Sequence, residues 1–452
     1  MAPSPTGEYH IGHIRTVLYN FALARQSNGK FIIRIEDTDR GRYVEGAIDR
    51  ILDVIRDYGF SWDEGPYIQS ERLDLYKKYA MELVEKKAAY YCFCTPERLE
   101  KMREEQKARH IPSTKYDKLC LKLSKDEIEK NLEEKKPYVI RLNVPANKIV
   151  SFDDVVFGKI TVNSNEIDDQ VLLKSDGFPT YHLGVVVDDH LMEITHVMRG
   201  NDWIPSTPKH ILLYEAFGWG IPVYIHLPNL KDNGETKKLS KRFGPVSARE
   251  FLDDGYLPEA VNNFLMFLGW NSGTDKEFYT LEEFIKDFDI KKIHKTDLVA
   301  FDREKLNWMN GEYIRKLGLK DLSDKLKNYY KEDKEVTDVL SGENAEKILQ
   351  LAQSRMTTLK QLKELIIPIT VELSSEEKEI AKMLAEKLET ITDWNKENIL
   401  SAMREVLKIS KANGSVLYKI ITGREKGLPL PESLEILGKE KTLARFGPSS
   451  RT

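Results

Sequence analysis

Apolar positions recur at helical spacing from Ile14 through Val17, Leu18 and Phe21, stop at Gly29, and give way to the run Phe31, Ile32, Ile33, Ile35. The first pattern predicts an amphipathic helix, and the short apolar run after a glycine predicts a buried strand. The helical period returns at Val44, Ala47, Ile48, Ile51, Leu52 and Ile55 and closes near Gly59, in C-cap position. Loop, helix, strand and helix in this order predict an α/β fold with a doubly wound parallel sheet.

The pattern changes beyond Tyr90. Basic helices run to about Lys136, followed by short strands at Tyr138–Leu142, Val150–Phe152 and Val171–Lys174 separated by turn residues, which marks an α+β insertion. The α/β pattern resumes at Tyr181–His190 and Glu193–Val197, passes a helix at Lys209–Phe217 and a strand at Val223–His226, and reaches a polar loop at Lys231–Lys238. After Lys320 the chain is nearly all amphipathic helix. One helix is expected over Ala345–Leu365, and a capping box at Ser374 and Glu377 precedes Ile380, Met383, Leu384 and Leu388. The expected organisation is a first α/β half over 1–90, an insertion over 91–180, a second half over 181–244, a helical junction over 245–320 and an all-α domain over 321–452.

A chain of 452 residues exceeds what one core normally holds, which agrees with several domains. Its 41% hydrophobic and 31% charged residues exclude extended disorder as the main state. No segment resembles a secretory leader or a bilayer span, so the expected compartment is the cytoplasm. The formal charge of −4 gives no footprint for nucleic acid, and runs such as Lys325, Lys327 and Lys331 read as solvated helix surface. A nucleic-acid partner has to be argued from motifs. Cys92, Cys94 and Cys120 are odd in number and clustered, which fits reduced thiols or a metal site and not a disulfide framework.

Two constellations carry chemistry. In Pro3-Ser4-Pro5-Thr6-Gly7-Glu8-Tyr9-His10-Ile11-Gly12-His13 a proline-fixed loop feeds a helix start. Free backbone N–H groups and the helix dipole favour an anion there, Gly12 admits a ligand close to the backbone, and His10 and His13 offer donors to phosphate oxygens, so a nucleoside triphosphate fits. Taken singly, each histidine reads first as a surface residue at a helix start. In Lys238-Leu239-Ser240-Lys241-Arg242 three cations occupy five residues of a polar loop between Gly234 and Gly244, suited to the charge that builds on a leaving pyrophosphate. A short basic loop alone is ordinarily just exposed.

Together the two segments resemble the HIGH and KMSKS signatures of class I aminoacyl-tRNA synthetases, in the same order. The flanking Ala2–Gly7, Arg34-Ile35-Glu36-Asp37-Thr38-Asp39, Val186-Val187-Asp188-Asp189-His190 and Trp308-Met309-Asn310-Gly311 look like glutamyl-tRNA synthetase of bacterial type. The resemblance implies a Rossmann-like catalytic domain with an acceptor-binding insertion, a stem-contact junction and an α-helical anticodon-binding domain. It implies ATP with Mg²⁺, L-glutamate and tRNA as partners, and a monomer. His10, Gly12, His13, Lys238, Ser240 and Lys241 would bind ATP, with His10, His13, Lys238 and Lys241 acting on the phosphates. Ser4, Glu36, Tyr181 and Arg199 would bind glutamate, Glu36 through the ammonium and Arg199 through a carboxylate. Arg355 would face the last anticodon base, where a surface arginine on a helix is an equal alternative. For Glu36 and Arg199 the alternative is a mutual or local salt bridge.

Two departures from the family stand out. Family members carry an arginine just before the APSPTG segment, and here Met1 stands first, which reads as a truncated start or compromised activity. Some relatives bind zinc through a Cys-x-Cys pair, a later cysteine and a fourth ligand. Cys92, Cys94 and Cys120 match three positions, but Lys122 holds the fourth and His110 would serve only if its loop folds back, so no metal is expected. Alternatives are a glutaminyl-tRNA synthetase, against which the helical tail argues; a short paralogue that modifies a tRNA base, against which the length argues; and a catalytically impaired RNA-binding relative. Whether glutamine tRNA is also charged stays open.

Overall fold

The computed structural model describes residues 1–111, 113–237, 239 and 246–446. The chain forms two compact units, one of residues 1–249 and 262–301, the other of residues 250–261 and 302–452.

In the first unit, the helix Ile11–Gln26 buries Ile14, Val17, Leu18 and Phe21, the stripe expected from the sequence. Eleven strands follow among the described residues: β1 (Ile32–Ile35), β2 (Glu64–Ile68), β3 (Ala89–Cys92), β4 (Val139–Leu142), β5 (Ile149–Asp154), β6 (Gly158–Asn163), β7 (Val171–Leu173), β8 (His196–Gly200), β9 (Val223–Leu227), β10 (Asn229–Asp232) and β11 (Leu298–Phe301). The pairs β1 with β2, β8 with β9 and β10 with β11 are parallel. The first two are bridged by the crossover helices Ala47–Asp57 and Thr207–Phe217, the connection that parallel neighbours require. Residues 1–3 run alongside β1, with the Arg34 and Glu36 N–H groups donating to the Met1 and Pro3 carbonyls at 3.0 and 2.9 Å. A hairpin of β5 and β6 joins β9, giving the order β6-β5-β9-β8.

The insertion is an antiparallel sheet, β3-β4-β7, with the helices Pro96–Ala108 and Lys125–Glu133 lying on its surface and burying no residue. Along β5, Ile149, Ser151 and Asp153 face out and Val150, Phe152 and Asp154 face in. Asp154 is thus an acid in a core position.

The second unit has two apolar cores. One gathers Leu257, Leu322, Leu326, Val336, Leu349 and Leu362; the other gathers Ile380, Leu384, Leu388, Ile399, Val406 and Leu434. The capping box forms as expected, Ser374 receiving the Glu377 N–H and Glu377 receiving the Ser374 N–H.

The structure corrects three details. The second helix starts at Ala47 and not at Val44, because Gly46 turns into the left-handed region at φ +70° and the Val44 N–H is taken by the Pro5 carbonyl. Lys231 and Asp232 belong to β10 and not to a loop, since β11 pairs with them. The expected helix over Ala345–Leu365 is two, Ala345–Gln353 and Gln361–Ile366. Between them the Gln361 side chain accepts the Thr357 N–H at 2.7 Å and the Gly255 carbonyl accepts the Leu359 N–H at 2.8 Å, so both N–H groups leave the helical ladder.

Candidate active site

His10 is the N-cap of the Ile11–Gln26 helix, and its Nδ1 accepts the Gly12 N–H at 2.9 Å. That bond places the ring proton on Nε2. The His13 ring lies 6.1 Å from it, centroid to centroid. His13 keeps solvent access yet lies in a recess, and the surrounding protein lowers its pKa while Asp202 pulls the other way. A neutral, donating imidazole is the form favoured there. At Gly12 an added Cβ would come within 3.1 Å of His10 Nδ1, so a side chain would disturb the cap.

The other basic constellation reaches this turn through the backbone. The Ile11 N–H donates to the Val246 carbonyl at 2.8 Å and the Ala248 N–H to the Tyr9 carbonyl at 2.7 Å, with His10 opposite Ser247. Leu239 is buried, and its N–H donates to the Leu230 carbonyl at 2.8 Å. The segments entering and leaving Ser240–Pro245 are therefore fixed beside the His10 turn. Lys238, Ser240 and Lys241 themselves lie outside the described residues.

Glu36 is buried at the end of β1, with its carboxylate 3.1 Å from Arg34 Nη2. Arg34 also holds Asp189 at 2.8 Å. Burial lifts the Glu36 pKa to about 7 against the pull of Arg34. The local ion pair weighed from the sequence therefore forms, with Arg34 and not with Arg199. Asp188 is fully buried and accepts from Gln69, Arg72 and Tyr76 at 2.9, 3.1 and 2.7 Å, a structural tie within the unit.

Arg199, in β8, is held on three sides. Its Nη1 donates to the Tyr181 hydroxyl at 2.7 Å, its Nη2 to Thr207 Oγ1 at 2.8 Å and its Nε to His226 Nε2 at 3.2 Å. Tyr181 lies close enough to feel the charges of both Arg199 and Glu36. One N–H on each terminal nitrogen of Arg199 stays available among the described residues, a fork suited to a carboxylate. Ser4 is exposed at the end of the extended segment that flanks β1. Sequence reasoning missed Arg34, Thr207, His226 and Asp154. The first lies in a motif already singled out; the others carry no local signal.

Two further groups lie apart. Cys92, Cys94 and Cys120 bring their sulfurs within 4.8 Å of one another. The Tyr116 hydroxyl is 3.2 Å from Cys94 Sγ and accepts the Cys120 N–H at 3.0 Å. Hydrogen bonds from Cys120 and then Tyr116 draw the Cys92 thiol well below the usual thiol range, although burial opposes this. His110 does not join the cluster. In the second unit, exposed Arg355 borders a cavity of about 240 Å³ that is also lined by Met403, Arg404, Leu417 and Tyr418. No helix among the described residues is long and apolar enough to cross a membrane.

Comparison with known proteins agrees with this geometry. The family described as tRNA synthetases class I (E and Q), catalytic domain, matches residues 1–308, and the family described as anticodon binding domain matches residues 321–447. The chain is 42% identical to a glutamate–tRNA ligase of Clostridioides difficile (strain 630), covering 98% of this chain and 97% of that protein. It is 44% identical to a glutamate–tRNA ligase of Clostridium botulinum (strain Eklund 17B / Type B), covering 98% and 96%. The crystal structure of a glutamate tRNA ligase from Elizabethkingia meningosepticum CCUG26117 in complex with its amino acid superposes with a TM-score of 0.82 at 34% identity, covering 100% of this chain and 98% of that one. With its parallel α/β unit, its His10 turn paired to Val246–Ala248 and its helical C-terminal unit, the chain belongs to the glutamate–tRNA ligases, within the class I (E and Q) tRNA synthetases.

Proposed function

We propose that this chain activates L-glutamate with ATP to glutamyl-adenylate and transfers the glutamyl group to the 3′-terminal ribose of tRNA(Glu). The observation that supports the proposal is the backbone pairing of Tyr9–Ile11 with Val246–Ala248, the described residues that follow the Lys238–Arg242 segment in the chain.

An oxygen of the glutamate α-carboxylate attacks the α-phosphorus of ATP in line, the bond to the bridging oxygen breaks, and pyrophosphate leaves. His10, His13, Lys238 and Lys241 share the phosphate charge, Gly12 and Ser240 complete the ATP contacts, and Mg²⁺ bound with ATP supplies further neutralisation. The ribose hydroxyl oxygen then attacks the carbonyl carbon of the mixed anhydride, gives up its proton, and AMP leaves. Glu36 receives the substrate ammonium, Ser4 and Tyr181 line the pocket, and Arg199 pairs with a carboxylate. Glutamine, neutral at its side chain, forfeits any charge-assisted bond made there. Arg355 and its cavity receive an anticodon base. What supports that role is an exposed guanidinium next to an apolar recess and an aromatic ring.

Labelled glutamate incorporated into purified tRNA tests the proposal. Charging that requires ATP and falls by about a hundredfold or more in Lys241→Ala is the expected result. Absence of charging of both glutamate and glutamine tRNAs would overturn it. The ratio between the two tRNAs, with and without Arg355→Ala, reports the anticodon role.

The three thiols form a soft donor set suited to zinc. Zinc there would pin β3 to the 116–120 segment and takes no part in the reaction. Purified protein holding about one zinc per chain agrees with this; metal-free protein of unchanged stability does not.

A further inference from the structure

The groups behind Arg199 have no place in the chemistry above, yet they form a fully buried polar cluster. Asp154 and His226 are both inaccessible to solvent at their side chains. Asp154 Oδ1 accepts the Val156 and Phe157 N–H groups at 2.9 and 2.8 Å, and Oδ2 accepts the His226 backbone N–H at 3.1 Å and its ring Nδ1 at 2.7 Å. Four donors converge on one carboxylate, which holds it in a single orientation.

Its chemistry then dictates the state of the ring. Arg199 Nε is a donor only, so the His226 Nε2 that faces it at 3.2 Å must be unprotonated. The ring proton sits on Nδ1, pointing at Asp154. Burial lowers the His226 pKa, which favours this neutral ring, although Asp154 opposes the shift. Thr207 Oγ1 lies 3.4 Å from the same Nε2, accepts from Arg199 Nη2 and donates to the Trp203 carbonyl at 3.1 Å. One side edge of the guanidinium is thus clamped by His226 and Thr207.

We propose that Asp154 and His226 are a positioning relay: the carboxylate fixes the imidazole tautomer, the imidazole fixes the Arg199 guanidinium, and the remaining edge of that guanidinium meets a carboxylate of glutamate. The proposal rests on the placement of Arg199 against substrate given above. An arginine held by a flexible partner would lose side-chain freedom each time substrate binds; one already locked on three sides binds with that cost met during folding.

The relay has a test that a purely structural role fails. In Asp154→Asn an amide N–H replaces the acceptor at Nδ1, so the ring is driven to the tautomer with its proton on Nε2, which confronts Arg199 Nε–H. KM for glutamate should rise by about tenfold or more, the loss of one hydrogen bond to a charged group, while KM for ATP changes by less than about twofold. In His226→Gln the amide oxygen accepts from Arg199 without any tautomer, and the rise should be smaller. The double variant Asp154→Asn/His226→Gln should be no worse than His226→Gln alone, because no ring remains to flip. A double variant worse than either single variant, or KM values for glutamate and ATP rising together, overturns the relay. If Asp154→Asn does not fold, His226→Leu against His226→Gln decides. A selective rise in KM for glutamate with Leu that Gln reverses supports the relay, and equal values overturn it. Arg199→Lys checks the foundation. If it leaves KM for glutamate unchanged, Arg199 does not meet the substrate; if it raises KM and Asp154→Asn does not, only the relay fails.

Discussion

Glu36 enters the folded state with its pKa lifted to about 7, first by burial, while Arg34 draws it down and Asp189 and Asp188 add to the rise. For an acid raised in this way the folded chain holds a proton that the unfolded chain has released. Its contribution to stability is present below the ordinary value of 4.5 and is lost as pH climbs through about 7. Under the role proposed for Glu36, function runs in the opposite sense, since only its ionised carboxylate would attract the glutamate ammonium. KM for glutamate measured between pH 6 and pH 8 should therefore fall as pH rises, and Glu36→Gln should flatten that dependence and raise KM at pH 8 by about tenfold or more. A wild-type profile flat over this range would exclude Glu36 as the ammonium partner. The family resemblance singled out Glu36, Tyr181 and Arg199 in the sequence. The groups that hold Arg199 were not visible, because Asp154 and His226 stand 72 residues apart and meet only where β5 joins β9.

At the scale of elements, the local signals were legible and the long-range ones were not. The Ser374–Glu377 box and the buried stripe of the first helix are written in residues three and four apart, and both form. The break after Gln353 depends on Gly255, about a hundred residues earlier in the chain, whose carbonyl takes the Leu359 N–H. No window on the sequence contains both partners. The cysteine cluster shows the same division. Spacing brought out three thiols, whereas Tyr116 came to light only once the chain had folded its hydroxyl onto Cys94. A metal there would tie β3 to the segment that carries Tyr116 and Cys120. Cys94→Ser, or chelation of the purified protein, should lower the melting temperature of the insertion by several degrees and reduce glutamate charging only secondarily. A melting temperature unmoved by chelator would argue that the cluster is held by packing of Tyr90, Cys92, Tyr116 and Cys120 alone.

At the scale of the whole molecule, the division into units does not follow the order of the chain. Residues 250–261 belong to the second unit although the first unit resumes at Asn262. They supply Leu257 and Ala260 to its core, the Gly255 carbonyl to Leu359, and the Leu257 N–H to Asn310 at 2.9 Å. A fragment of residues 302–452 should therefore melt below the same unit in the full chain and bind an apolar dye, and adding residues 250–261 as a peptide should reverse both changes. A fragment as stable as the parent would mean that the segment is dispensable. The same threading sets a schedule on the ribosome. Leu257 emerges about a hundred residues before Leu362, the last of its helical neighbours in that core, and at about 5–20 residues per second it waits on the order of 5–20 s without shelter. During synthesis, then, the first unit must fold around a stretch it does not own, and that apolar stretch stays unshielded until the helices of the second unit follow.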